Sequence, residues 1–214
     1  MLSLWHKIQR RFTLDFWIRR YLLLREELEG VDFSEVVEVE ELGLDPSLAS
    51  HSAPSGNKYL RNVLNQISIS TRDAIIDIGS GKGSAMRIML EFPFHKVDGI
   101  ELSSQVAEIA QKNFNKLRIP RNRYELFVMD AANFKALDGY NYFYFYNPFS
   151  QTVLEKVIEN IVSSIERAPR IVFIIYNNPK YNSVIISERM FNKIAEYPDE
   201  WGNKIFLYSN QAGT

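Results

Sequence analysis

Residues 74 to 84, Ala-Ile-Ile-Asp-Ile-Gly-Ser-Gly-Lys-Gly-Ser, constrain this chain more than any other stretch. An apolar run with the length of a strand meets glycines at 79, 81 and 83 and then the start of a helical segment. Glycine at alternate positions permits positive φ and lets backbone approach a ligand closely. A helix start beyond such a loop offers free N–H groups to an anionic or polar ligand. Two nucleotide loops are excluded by spacing. A P-loop needs Gly, four residues, then Gly-Lys-Ser/Thr. Counting back from Gly81-Lys82 puts Ile76 at the first glycine, and Gly83 stands where Ser or Thr belongs. A dinucleotide fingerprint is Gly-x-Gly-x-x-Gly, whereas here the pattern is Gly-x-Gly-x-Gly, with Asp77 two residues ahead.

Downstream, strand-like runs alternate with amphipathic helices. The expected strands are 74–78, 96–100, 124–129, 142–146 and 170–176, and the expected helices are 84–91, 104–117 and 152–165. Val153, Leu154, Val157, Ile158, Ile161, Val162 and Ile165 form one apolar stripe, with Ser150 placed to cap it. Such alternation predicts βαβ units and a parallel sheet covered on both faces. Residues 191–197 and 204–209, joined by a turn-rich link, predict an antiparallel hairpin closing the sheet. The fold class is therefore α/β, a doubly wound, mostly parallel sheet with an antiparallel C-terminal hairpin.

Ahead of the sheet, residues 1 to about 30 read as helix, with Leu14, Trp17, Tyr21 and Leu24 at helical spacing and Gly30 as the stop. Arg10, Arg11, Arg19, Arg20 and Arg25 make this segment basic, whereas Val31 to Asp45 holds six acids and no base. Either these are two solvated faces that pair with each other, or the helix is a cap or partner surface. Residues 46–57 form a Ser/Pro/Gly-rich loop. Tyr59, Leu60, Val63, Leu64 and Ile67 predict a short helix after it. The expected division is 1–57 as a helical extension and linker, and 58–214 as the binding domain.

Composition excludes further classes. With no cysteine there is no disulfide, thiolate zinc site or cysteine nucleophile. His6, His51 and His95 lack metal-ligand spacing, so no metal is expected. A net charge of −1 gives no overall pull toward nucleic acid or membrane. Without a signal-like or membrane-length apolar run, a soluble cytoplasmic protein that does not engage membrane is expected.

Two more strand ends carry acids. Val97-Asp-Gly-Ile-Glu ends at Glu101, at the distance expected of a carboxylate that accepts ribose hydroxyls, with Ser103 following as a helix cap. Phe127-Val-Met-Asp-Ala ends at Asp130, where an acid followed by a backbone N–H suits adenine. The segments 77–83, 99–101 and 129–131 together resemble the first three motifs of class I S-adenosylmethionine-dependent methyltransferases, over roughly residues 58 to 209. The resemblance implies a seven-stranded sheet with a reversed last strand. It also implies S-adenosyl-L-methionine bound by Asp77, Gly79, Ser80, Gly81, Gly83, Glu101, Leu102, Asp130 and Ala131.

Within that family, the end of the fourth strand borders the transferring methyl group. Here it is Asn147-Pro148-Phe149, similar to the Asn-Pro-Pro-Tyr/Phe of amino methyltransferases but without the second proline. The Asn147 amide oxygen and the Pro148 carbonyl would aim an acceptor nitrogen, and Phe149 would cover it. A simple strand-to-helix turn is the competing interpretation. Tyr176-Asn-Asn-Pro179 should form a second turn beside the first, and Tyr146, Phe149, Tyr176 and Tyr181 would wall an aromatic pocket. Ser52-Ala-Pro-Ser55 resembles a segment that lies near the methionyl end of the cofactor in seven-stranded protein lysine methyltransferases, which adds Pro54 and Ser55. The whole arrangement is also similar to bacterial methyltransferases with Gly-Ser-Gly-Lys-Gly and Asn-Pro-Phe motifs. An N-directed methyltransferase is expected, with protein lysine ahead of nucleic acid or a small molecule. The alternatives are a non-catalytic S-adenosylmethionine-binding protein and, disfavoured by the glycine spacing, a nucleotide-dependent oxidoreductase. The acceptor and the oligomeric state are not specified by the sequence.

Overall fold

All five side chains of β1 (Ala74–Ile78) are buried, so this strand belongs inside a sheet covered on both faces. The computed structural model, which describes residues 14–36, 54–147, 149–200 and 202–211, places it there. Strands β2 (Lys96–Glu101) and β3 (Leu126–Val128) follow on one side. On the other side are β4 (Tyr142–Tyr146), β5 (Phe173–Asn177), and the pair β6 (Asn192–Pro198) and β7 (Lys204–Ser209). The sheet order is β3-β2-β1-β4-β5-β7-β6. The first five strands are parallel, and β7 runs antiparallel between β5 and β6. This is the expected doubly wound seven-stranded sheet with a reversed last strand, paired to β6 as an antiparallel hairpin.

Alternation along β4 and β5 divides two cores. Phe143, Phe145, Ile174 and Tyr176 pack under α5 (Gln151–Arg167), through Leu154, Val157, Ile158 and Ile161. Tyr142, Tyr144 and Ile175 point to the other face. There they meet α2 (Lys58–Gln66), α3 (Ser84–Met89) and Phe114 of α4 (Ser104–Lys116). Both helix caps lie where expected, but only Ser103 accepts an amide, that of Val106 at 3.4 Å; the Ser150 side chain makes no capping bond.

Three departures have physical causes. β3 covers only residues 126–128, because it is an edge strand paired with β2 alone, and Tyr124 is instead buried against Phe114. β5 begins at Phe173 rather than Arg170. The Arg170 guanidinium donates to the carbonyls of Leu137, Tyr140, Ser164 and Ala168 and so ties loops together below the sheet. A short helix, α6 (Asn182–Ser187), fills a stretch with no sequence assignment.

The N-terminal segment is docked onto the glycine loop. After α1 (Leu14–Glu29), Val31 and Phe33 are buried in the second core. Glu26 accepts the Phe33 and Ser34 amides and the Ser34 hydroxyl, folding the chain back on the helix end. Asp32 forms an ion pair with Lys82, which is 4% exposed. Asn113 joins the two: its Oδ1 accepts the Asp32 N–H at 2.8 Å, and its Nδ2 donates to the Asp32 and Lys82 carbonyls at 2.6 and 3.1 Å. Within the described residues, then, Asp32 of the acidic strip pairs with the sheet domain and not with the basic helix. Residues 1–13 and 37–53 lie outside the described residues.

Asn113→Ala removes three hydrogen bonds and leaves buried backbone groups without partners. It should destabilise the protein by about 2–3 kcal/mol, read as a lower urea midpoint with an unchanged slope. An unchanged midpoint would mean that the latch contributes nothing.

Candidate functional site

The glycine loop lies at the carboxyl end of β1, where the chain turns from strand to helix. Gly79, Gly81 and Gly83 have φ of +87°, +54° and +84°, in the left-handed region that side chains resist. The loop is held from below, where the Ile100 carbonyl accepts the amides of both Gly79 and Ser80 at 2.9 Å. Gly83 is also a packing requirement, since a Cβ there would come within 2.5 Å of the Phe114 ring. The loop backbone therefore passes through three left-handed positions that carry no Cβ of their own.

Glu101 ends β2 beside that loop. One carboxylate oxygen accepts the Gly81 N–H and the other the Ser103 N–H, both at 2.9 Å. Burial raises its pKa, and the amides of Ser103, Gly81 and Leu102 oppose that rise. Leu102, 40% exposed, follows as an open apolar surface. Asp130, two residues beyond β3, accepts the Ala132 N–H at 2.9 Å and caps a short turn at Ala131–Asn133. Asp77 is buried beneath the loop, and burial together with the Glu101 charge pushes its carboxyl well above the ordinary range.

The structure thus brings Asp77, the three glycines, Glu101, Leu102, Asp130 and Ala131 to the carboxyl ends of three adjacent strands. Ser80 contributes backbone rather than hydroxyl. Its Oγ is buried without a partner among the described residues, in contact distance of the position a Gly99 Cβ would take. Pro54 is exposed, whereas Ser55 is buried near the Tyr144 hydroxyl. The next residue, Gly56, lies against Ser84 so closely that a Cβ would meet the Ser84 carbonyl at 2.0 Å. Tyr144 also accepts from Asn177 Nδ2 at 3.0 Å. Ser55, Tyr144 and Asn177 form a buried cluster, with Tyr144 opposite Asp77 on adjacent strands.

At the next strand end, Asn147 has φ +42°, and Asn178 past β5 has φ +51°, so the two asparagine turns do lie side by side. The Tyr176 hydroxyl donates to Asn147 Oδ1 at 3.4 Å and accepts the Tyr181 N–H at 3.3 Å. Tyr176 is 1% exposed and edge-on to Phe145, so it is core and not a pocket wall. Phe149 and Tyr181 pack with the same core, whereas Tyr146 packs with the opposite one. The four aromatics therefore divide between the two faces. Pro148 lies outside the described residues. The sequence does not mark Asp32, Lys82, Asn113, Tyr144 and Asn177 as contacts, because their partners are distant in it. No group of metal-ligating side chains occurs among the described residues, and no described helix is long and apolar enough to cross a membrane.

A family model described as histone methylation protein DOT1 matches residues 55–142, less than half of the chain. No curated protein matches it in sequence. Among solved structures it is similar to yhhF of Escherichia coli, named as a candidate methyltransferase, at TM-score 0.58 and 19% identity over 75% of this chain and 90% of that one. It is also similar to an RNA methyltransferase from Salinibacter ruber in complex with S-adenosyl-L-homocysteine, at TM-score 0.56 and 13% identity over 76% and 96%. At these identities the likeness establishes the fold alone, a Rossmann-like α/β fold with a seven-stranded mixed sheet of the kind these methyltransferases have.

A carboxyl with a raised pKa keeps its proton in the folded state while the unfolded chain releases it near about 3.9. Between those two values the native state binds more protons, so stability falls as pH rises. Asp77→Asn should remove this slope: its melting temperature should gain on wild type as pH increases from about 4 toward neutrality. Parallel melting curves across that range would show that Asp77 is not held protonated.

Proposed function

We propose that this chain is an S-adenosylmethionine-dependent methyltransferase acting on a nitrogen, with a protein lysine ahead of a nucleic acid or small molecule. One observation carries the cofactor assignment. Three adjacent strand ends present a glycine loop at positive φ, a carboxylate at Glu101 and an acid at Asp130, in that order. Each Glu101 oxygen spends one acceptor position on a backbone amide, which leaves capacity on both for two ribose hydroxyls. A ligand bringing an ammonium group to the loop would favour the ionised form of Asp77.

S-adenosylmethionine supplies an activated methyl group on a sulfonium, so the protein's work is orientation and exclusion of water. Asn147 is the residue suited to orient an acceptor. The Tyr181 amide, the Tyr176 hydroxyl and the Asn147 amide form a chain that fixes the rotation of the asparagine. The second lone pair of the amide oxygen then accepts an N–H of the acceptor and aims its nitrogen lone pair. Phe149, although it packs against the core, would cover the acceptor through its exposed part, and Pro148 is the other group assigned to this edge. Two points favour lysine. The matching family description concerns histone methylation, and the strand-end motif lacks the second proline of nucleobase amino methyltransferases.

Transfer of labelled methyl from the cofactor into lysate, fractionated into protein, RNA and small molecules, tests the acceptor class; label in RNA alone would overturn the lysine preference. With an acceptor in hand, Asn147→Ala should lower kcat with cofactor affinity almost unchanged. Losing one oriented hydrogen bond of this kind costs on the order of 2–4 kcal/mol in the barrier, roughly thirty- to a thousand-fold. A stable, fully active variant would remove Asn147 from the mechanism.

A further inference from the structure

Lys82 is the charged residue of the glycine loop, set between Gly81 and Gly83. Glycine followed by lysine is the pair with which nucleotide loops hold phosphate, the ammonium acting as a point charge. Here that ammonium is committed inside the protein. Lys82 is 4% exposed, its Nζ donates to Asp32 Oδ2, and its carbonyl accepts from Asn113 Nδ2 at 3.1 Å. Asp32 is fixed in turn. Asn113 takes its N–H and donates to its carbonyl, and its second carboxylate oxygen accepts the Glu35 N–H at 3.4 Å. The nearby Glu29 is already paired, with Arg25 at 2.8 Å and with Arg87 at 3.0 Å. Among the described residues, Asp32 is the one ion-pair partner of Lys82.

Stability alone does not call for this pair, because a buried ion pair can be replaced by apolar groups of similar volume at little cost. Its effect on the loop is electrostatic. With Lys82 neutralised by Asp32 and Asp77 held in its neutral form by burial, the charge beside the loop is that of Glu101, which bonds the Gly81 amide at 2.9 Å. An unopposed Lys82, one residue from Gly81, would cancel it. S-adenosylmethionine and S-adenosylhomocysteine differ by a methyl group and by the positive charge on sulfur. A loop under a negative field favours the charged donor over the neutral product. We infer that Asp32 is a specificity-determining residue: by neutralising Lys82 it keeps the glycine loop selective for the sulfonium donor over the uncharged thioether product. The inference rests on the cofactor assigned under the proposed function. Asp32 acts through Lys82 and not by contact with the ligand.

Calorimetric titration of the full chain with S-adenosylmethionine and with S-adenosylhomocysteine, at low ionic strength, tests it. The readout is the ratio of the two dissociation constants. Mere loosening of the loop lowers both affinities and leaves the ratio alone, whereas a change of charge moves the ratio. Asp32→Asn keeps the shape of the acid and leaves the Lys82 charge unopposed. The ratio should shift about five- to tenfold toward S-adenosylhomocysteine. Lys82→Met leaves Asp32 unopposed and should shift the ratio the other way. That shift should be smaller, about two- to threefold, because the Asp32 side chain is 35% exposed and partly screened. Asp32→Asn with Lys82→Met removes both charges and should return the wild-type ratio. Lys82→Met buries no unpaired cation, so it and the double variant give the test even if Asp32→Asn does not fold. A ratio unchanged in every folded variant, with both ligands still bound, overturns the inference and leaves the cofactor assignment standing. A wild-type chain that binds neither ligand overturns the cofactor assignment and this inference with it.

Discussion

The site depends on a backbone that no side-chain-bearing residue adopts easily. Gly79, Gly81 and Gly83 are all at positive φ, and such a loop keeps one conformation only if its polar groups are tied down. The Ile100 carbonyl takes two of its amides, and the Glu101 carboxylate takes a third. Both belong to β2, whose Gly99 is itself required, because a Cβ there would collide with Met86 and Ser80. The residue that would bind a ribose is thus also the residue that shapes the loop. Glu101 and the glycine loop are one hydrogen-bonded unit.

That unit is braced from outside the sheet. Lys82 is buried with its charge on Asp32, and Asn113 bonds both segments. A buried ammonium is tolerated only with a partner, so the loop and the N-terminal segment must fold together. Gly56 against Ser84 and Ser55 against Tyr144 add a second brace on the other side of the loop. Segments that the sequence presents as extension and linker therefore help hold the glycine loop in place.

The central sheet was legible because its strands announce themselves by unbroken apolar runs. β1 and β4 have the limits expected of them. Glu101 and Asp130 stand at strand ends for the same reason. What sequence pattern misses is which partner a residue finds. Tyr21 and Leu24 have the periodicity of a buried face, yet both side chains are exposed. Tyr176 reads as an aromatic wall, yet its ring is core and only its hydroxyl reaches Asn147. Asp32, Lys82 and Asn113 lie up to 81 residues apart, and nothing local marks them as a set.

Calorimetric titration with S-adenosylhomocysteine and, separately, with NAD tests the assignment of the glycine loop most directly. The wild-type chain should bind S-adenosylhomocysteine in preference to NAD. Glu101→Ala should weaken that binding by about 1–3 kcal/mol, because two hydroxyls lose a charged acceptor and the Gly81 amide loses its tie. Preferential binding of NAD, or wild-type affinity for S-adenosylhomocysteine in Glu101→Ala, would place the ligand elsewhere and contradict the assignment.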